Sequence, residues 1–228
     1  YGENYDFSPV SLDVIRQIGE LPSVKYFDYS VSTNMESSSL KLPDEDPNSG
    51  TAEDAVRYFR LTGVQNPELT GIMEGKIRLA SGRTFSEKEI TDLSYKTIIS
   101  QKFADVNGLT VGSRFGLNNV AYDEFGIALS SQNCEFEVIG IFEPDNLKND
   151  EYAIWNECIY VTNEVVKECL NFSMEGNSNQ DITYEALYVL DDPQHMKEFK
   201  KSAEKLIPEY YTVVDTGDSY ESVAGPIN

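Results

Sequence analysis

The sequence predicts an α+β fold: a split β-α-β, ferredoxin-like subdomain built from both chain ends, with a smaller α+β subdomain inserted between them. Three observations predict it. A helix, a proline and a strand follow one another twice, with Pro22 ahead of Val24 to Val31 and Pro208 ahead of Tyr210 to Val214. Between the copies lies a block with its own strand, helix and glycine punctuation, Gly71 to Leu117 with a sequel at Phe136 to Phe142. Its flanks carry loop chemistry, Gln65-Asn66-Pro67 on one side and the Gly-, Ser- and Asn-rich stretch Ser173 to Gln180 on the other. Residues 1–66 and 181–228 are therefore assigned to the terminal subdomain and 67–180 to the inserted one.

In chain order, Tyr1 to Phe7 reads as an entry segment. Ser8 and Pro9 suit a cap and first helical residue, and Val10, Val14, Ile15, Ile18 and Leu21 recur on one helical face until Pro22 ends it. Val24 to Val31 is a strand, and Ser32 to Ser39 is polar enough to read as leaving it. Lys41 to Asp54, with Pro43, Pro47, Gly50 and the acidic run Asp44 to Asp46, is a solvated loop without the spacing of an EF-hand. Ala55 to Val64 returns to strand and joins the terminal sheet with Val24 to Val31, Tyr184 to Leu190 and Tyr210 to Val214.

Inside the inserted block, Gly82 and Arg83 end an extended segment, and Ser86 with Glu89 forms a capping box. Thr97 to Ser100 is a β-branched strand, and Ser100 caps a helix with Phe103, Ala104 and Val106 that stops at Gly108. Gly112 and Ser113 turn the chain into Phe115 to Leu117. Gly140 interrupts Phe136 to Phe142, which marks a bulge or a close backbone approach. Glu143 to Glu151 is an acidic turn region, Ile159 to Val161 a short strand, and Thr162 or Asn163 caps a helix carrying Val165, Val166, Cys169 and Leu170. Asp192-Pro193 opens the last helix, with Met196, Phe199, Ala203, Leu206 and Ile207 on one face.

The 228 residues, 40% hydrophobic and 11% aromatic, suffice for an ordinary packed core. With 39 acidic against 18 basic residues the net charge is −21, which opposes binding to a phosphate backbone and excludes nucleic acid as a partner. No apolar run approaches the roughly 18–20 residues of a spanning helix and no leader opens at Tyr1, so the expectation is a soluble protein or an excised loop domain. Three cysteines, Cys134, Cys158 and Cys169, have neither an even count nor CxxC spacing. They read as buried thiols, with a bridge between Cys158 and Cys169 left open.

Chemistry is scarce. His195 is the only histidine and sits early in an amphipathic helix as a surface residue. There is no HExxH, GxSxG, P-loop or GxGxxG, and carboxylates are too numerous for any pair to stand out. The chain is read as no enzyme, with no catalytic, cofactor-binding or metal residues and no cofactor, and substrate-binding residues are left unknown.

The words GRTF, IISQKFA, GLTVGSRF and FEVIGIF, at residues 82–85, 98–104, 108–115 and 136–142, occur in an order that resembles the MacB-like periplasmic core domain of MacB/FtsX-type ABC transporter permeases. The resemblance covers nearly the whole chain. It implies a porter-like subdomain from both ends with a Sabre-like subdomain inserted, in a cell-membrane protein whose segment here lies on the extracellular or periplasmic side. It implies as partners an ABC nucleotide-binding subunit, which would hold the ATPase activity, a second permease protomer and an accessory extracytoplasmic protein. Tyr220 to Asn228 resembles the approach to the second membrane helix of such permeases. Lys41 to Asp54, Asn118 to Asn133 and Ser173 to Gln180 depart from the family's pattern.

Such domains transmit ATP-driven motion of the membrane helices to export or extraction of a substrate. The alternative is an extracytoplasmic ligand-binding or sensor domain for a cationic peptide or a lipid. A persistent ligand-sized apolar pocket would favour the alternative, and a filled interior the first.

Overall fold

The computed structural model describes residues 9–45, 52, 54–145, 159–174, 182–209 and 211–214. Backbone contacts divide the chain into two compact units, residues 1–29 with 183–228, and residues 30–182.

In the terminal unit, α1 (Leu12–Gly19) starts one turn later than Ser8 suggests, because the Ser11 hydroxyl accepts from the Val14 amide at 3.4 Å and caps it. Strands β1 (Val24–Ser30) and β9 (Glu185–Leu190) pair as a two-stranded sheet. After β9, Asp192 accepts from the Gln194 amide at 2.9 Å and starts a 3-10 turn, Pro193–His195, that runs into α6 (Met196–Ala203). Ile18, Phe199 and Ala203 form the buried core, joined by Val14, Leu21, Val24, Tyr188 and Leu190.

The inserted unit holds β2 (Ser32–Ser37), β3 (Arg57–Val64), α2 (Thr70–Met73), β4 (Ile77–Gly82), α3 (Glu87–Thr91), β5 (Lys96–Ser100), α4 (Gln101–Asn107), β6 (Arg114–Tyr122), β7 (Ala128–Pro144), β8 (Ile159–Thr162) and α5 (Asn163–Met174). Its sheet runs β4-β7-β5-β8-β3-β2-β6, and β6 pairs with β7 as well, so six of the seven strands close a ring with β4 added outside it. Closure leaves those strands without a free edge. Phe136, Phe142, Ile98, Ile99, Leu117 and Val161 are buried to 1% exposure or less. An aromatic chain links β3 to β7 through α4: Phe59, Phe103, Phe115 and Phe136 have successive ring centroids 5.7, 5.7 and 5.8 Å apart.

The α+β class stands, but the strand assignment needs three corrections. First, β3 belongs to the inserted sheet, antiparallel to β2 and parallel to β8, and not to the terminal one. The division falls after Tyr29 and Ile182 instead of at 66 and 180, and the inserted unit is the larger of the two. The buried-exposed alternation of β3 identifies a strand but not its neighbours, which register with β2 and β8 decides. Second, Ser32 to Ser37 is not a polar exit but β2, whose every residue from Ser32 to Ser37 faces one of β3 and whose Met35 is fully buried. Third, Tyr211 to Val214 forms no strand; Val213 packs on the terminal core instead. Packing of Val213 overrides the β-propensity of the stretch.

The local motifs behave as expected. Ser86 and Glu89 make the reciprocal capping box, Ser100 accepts from the Phe103 amide at 3.1 Å, and α4 ends on Gly108 in the left-handed region at φ 63°. Gly140 is a close approach: an added Cβ would lie 2.5 Å from the Arg83 carbonyl oxygen, and the β5–β7 register shifts beside it. Asn118 to Asn133, expected as an insert, is the continuous outer arm of the β6–β7 hairpin, turned by Asp123, which accepts from the Phe125 and Ile127 amides at 2.9 and 2.8 Å. Residues 146–151 and 175–180, expected as turn and connector, lie outside the described residues, as do Tyr1 to Phe7.

Candidate functional site

In the terminal unit, α1, β9, α6 and the segment up to Val214 surround a cavity of about 390 Å³. Ile15, Ile18, Tyr188, Phe199 and Val213 are among its walls, so both halves of the split sequence contribute. A two-stranded sheet explains it, since two strands cannot cover the apolar faces of two helices. Burial pushes the Tyr188 hydroxyl up to about 12, so it stays a neutral donor, to the Ile15 carbonyl at 3.0 Å. Apolar walls with a few fixed polar groups can take up an apolar ligand.

His195 borders a smaller pocket of about 210 Å³ with Leu21, Asp191, Glu198 and Ser202. Its Nδ1 lies 2.8 Å from an Asp191 oxygen, and the side chain is 46% exposed, at the surface as read from sequence. The Asp191 hydrogen bond raises the imidazole above 6.5 and lowers the carboxyl below its ordinary value. Among the described residues no hydroxyl or thiol is hydrogen-bonded to the ring as a nucleophile would be. Nor does any group of three His, Cys, Asp or Glu side chains gather for a metal ion among the described residues.

Two features of the inserted unit escaped the sequence reading. Cys134 on β7 and Cys169 on α5 are buried free thiols that neighbour each other, with Tyr95 beside Cys134. The neighbouring Cys169 lowers the Cys134 thiol, whereas Cys134 and burial push Cys169 up. Their separation along the chain offered no signal for this pairing. The hairpin tip exposes Phe125 at 80%, with Ile127 and Leu129 also exposed. The alternation of apolar residues from Phe125 to Leu129 was a legible hairpin signal, obscured by reading the stretch as an insert.

No protein-family model matches the chain. Over 156 residues, 68% of its length, it is 19% identical to an uncharacterized ABC transporter permease, YclI, of Bacillus subtilis (strain 168), and that match spans 30% of the permease. Among solved structures it is similar to the extracellular domain of the noncanonic ABC-type transporter YknZ from Gram-positive bacteria, with a TM-score of 0.51 and 16% identity over 90% of this chain and 89% of that one. It is also similar to the periplasmic region of MacB from Actinobacillus actinomycetemcomitans, with a TM-score of 0.57 and 10% identity over 98% of this chain and 86% of the other. The fold of this chain is that of the extracytoplasmic domains of MacB- and YknZ-type ABC transporters.

Proposed function

We propose that the chain is the extracytoplasmic domain of an ABC transporter permease, and that it passes ATP-driven motion of the membrane helices to the export or extraction of a substrate outside the membrane. The observation that carries this reading is the division of the chain: both ends belong to one unit, and the whole of residues 30–182 is a second body inserted in it. A displacement applied at the two ends then acts on one unit, and the closed, filled sheet of the other is suited to respond as a rigid body. On this reading the nucleotide-binding subunit supplies the energy, a second permease protomer completes the transporter, and an accessory extracytoplasmic protein receives the motion. The porter-like and Sabre-like roles fall to the terminal and inserted units.

The test is a slack connection. Replacing Ala224, Gly225 and Pro226 in the full-length permease with a long Gly/Ser segment leaves ATP hydrolysis intact and uncouples it from export, because a flexible chain transmits little force. Undiminished export with the slack segment overturns the lever. A second reading, capture of a lipid or the apolar part of a cationic peptide, is favoured by the terminal cavity, whose 390 Å³ falls at the lower end of ligand pockets. Under it, a bulky Ala186→Trp substitution in the cavity wall abolishes ligand binding and export together while the slack segment is tolerated.

A further inference from the structure

Cys134 and Cys169 come from separate elements and meet in the interior. Cys134 stands opposite Leu117 in the β6–β7 ladder. Two residues along β6 from Leu117, the buried Asn119 side chain donates to the Cys169 carbonyl at 2.7 Å, which fixes that turn of α5 against the strand. The thiols, 4% and 2% exposed, are interior neighbours, Cys134 facing the stretch of β6 to which the Cys169 turn is tied. Thiols brought side by side from two packed elements are the arrangement from which a disulfide is made.

We propose that Cys134 and Cys169 are joined by a disulfide bond in the protein as it works, stapling α5 to β7 in the inserted unit. The proposal rests on the extracytoplasmic placement proposed above, since disulfides persist in oxidising compartments. The oxidant is a disulfide, either an oxidised dithiol oxidoreductase or a small-molecule disulfide. The Cys134 thiolate attacks one of its sulfurs, forming a mixed disulfide and releasing a thiol. Cys169, having lost its proton to solvent, then displaces the second thiol and closes the bond. Two protein thiols are oxidised and one disulfide is reduced to two thiols. Because both cysteines are shielded in the folded unit, the exchange takes place while the unit folds. The bridge closes a loop of some three dozen residues and restrains the unfolded chain, an effect equivalent to a rise in melting temperature of roughly 10 °C.

The experiment uses the full-length protein in its native membrane, quenched in acid, alkylated and mapped by mass spectrometry without reduction. A peptide linking Cys134 to Cys169 is expected, absent from C134S and C169S and retained in C158S. The purified full-length protein, unfolded and reduced with dithiothreitol, is then refolded with oxidised glutathione. It is expected to regain the same link and to melt roughly 10 °C above its reduced form. A link through Cys158, or a melting temperature unmoved by the bond, overturns the staple. Failure to form the bond on refolding overturns the cysteine pairing and leaves the location reading standing. A bond that forms on refolding but is missing from cells overturns the proposal through its premise, the outward location.

Discussion

The two units solve the same problem, hiding apolar surface, in opposite ways. The inserted unit closes six strands on themselves and fills the interior with Phe136, Phe142, Leu117 and Ile98, each fully or almost fully buried. Among its described residues the terminal unit has two strands, a small buried core around Ile18, Phe199 and Ala203, and a cavity of about 390 Å³. A filled interior resists deformation because each side chain is held by its neighbours, while an incompletely filled one leaves room to repack. The comparison therefore separates a stiff body from an adaptable one, and the adaptable one receives both chain ends.

The sharpest way to break that comparison is to truncate a buried aromatic in each unit. Phe136→Ala leaves a new void in a filled core and should cost about 3–5 kcal/mol, read from urea unfolding. Phe199→Ala opens onto an existing cavity, so the burial contribution dominates and the cost should be about 1.5–3 kcal/mol. Equal losses would remove the distinction between the units.

A smaller effect is expected at Gly140, where an added methyl would lie 2.5 Å from the Arg83 carbonyl. Gly140→Ala should destabilise by about 1–3 kcal/mol, because backbone on both sides must shift. Hydrogen exchange should place the loss in β4 and β7, with terminal-unit protection unchanged. Faster exchange in α1 would show that the units do not respond separately.

Glu89 offers a milder probe of the inserted unit. Two hydrogen bonds from Arg83, at 2.7 and 2.8 Å, and the Ser86 cap hold its carboxyl down to about 2 from an ordinary 4.5. A depressed pKa stabilises the fold above the unfolded value, and that stabilisation disappears as pH falls from about 4.5 to about 2. Glu89→Gln should cost about 1 kcal/mol at neutral pH, discounted because Arg83 is 53% exposed, and the variant and parent should converge near pH 2. Parallel stability curves down to that pH would rule the linkage out. Smallest of all, Phe125→Ser at the 80% exposed hairpin tip should change stability by no more than about 0.5 kcal/mol in thermal melts.

Legibility followed the range of the interaction. The capping box at Ser86 and Glu89, the Ser100 cap, the Gly108 stop, the close approach at Gly140 and the Asp192-Pro193 start were all readable, because each is settled within a few residues by backbone sterics or a short hydrogen bond. That β1 and β9 share a sheet was among the expected terminal pairings, although the helix-proline-strand repeat behind that expectation pointed to Tyr210 to Val214, whose described residues form no strand. The candidate site was less so: the surface position of His195 followed from helical periodicity, but its bond to Asp191 and the cavity beside it require the folded chain.

By itself, then, the sequence determined the caps of α3 and α4, the Gly108 stop and the Asp192-Pro193 start, that both ends belong together, and the resemblance of its ordered words to MacB-like domains. Only the tertiary structure decided that β3 joins the inserted sheet, that β6 closes the ring onto β7, that polar Ser32 to Ser37 is a strand, and that Cys134 meets Cys169. The physical reason is that a strand's alternation fixes which face is buried but leaves its hydrogen-bonding edges open. Partners far along the chain satisfy those edges only when the whole unit packs, and side chains on separate elements meet as a result of that packing.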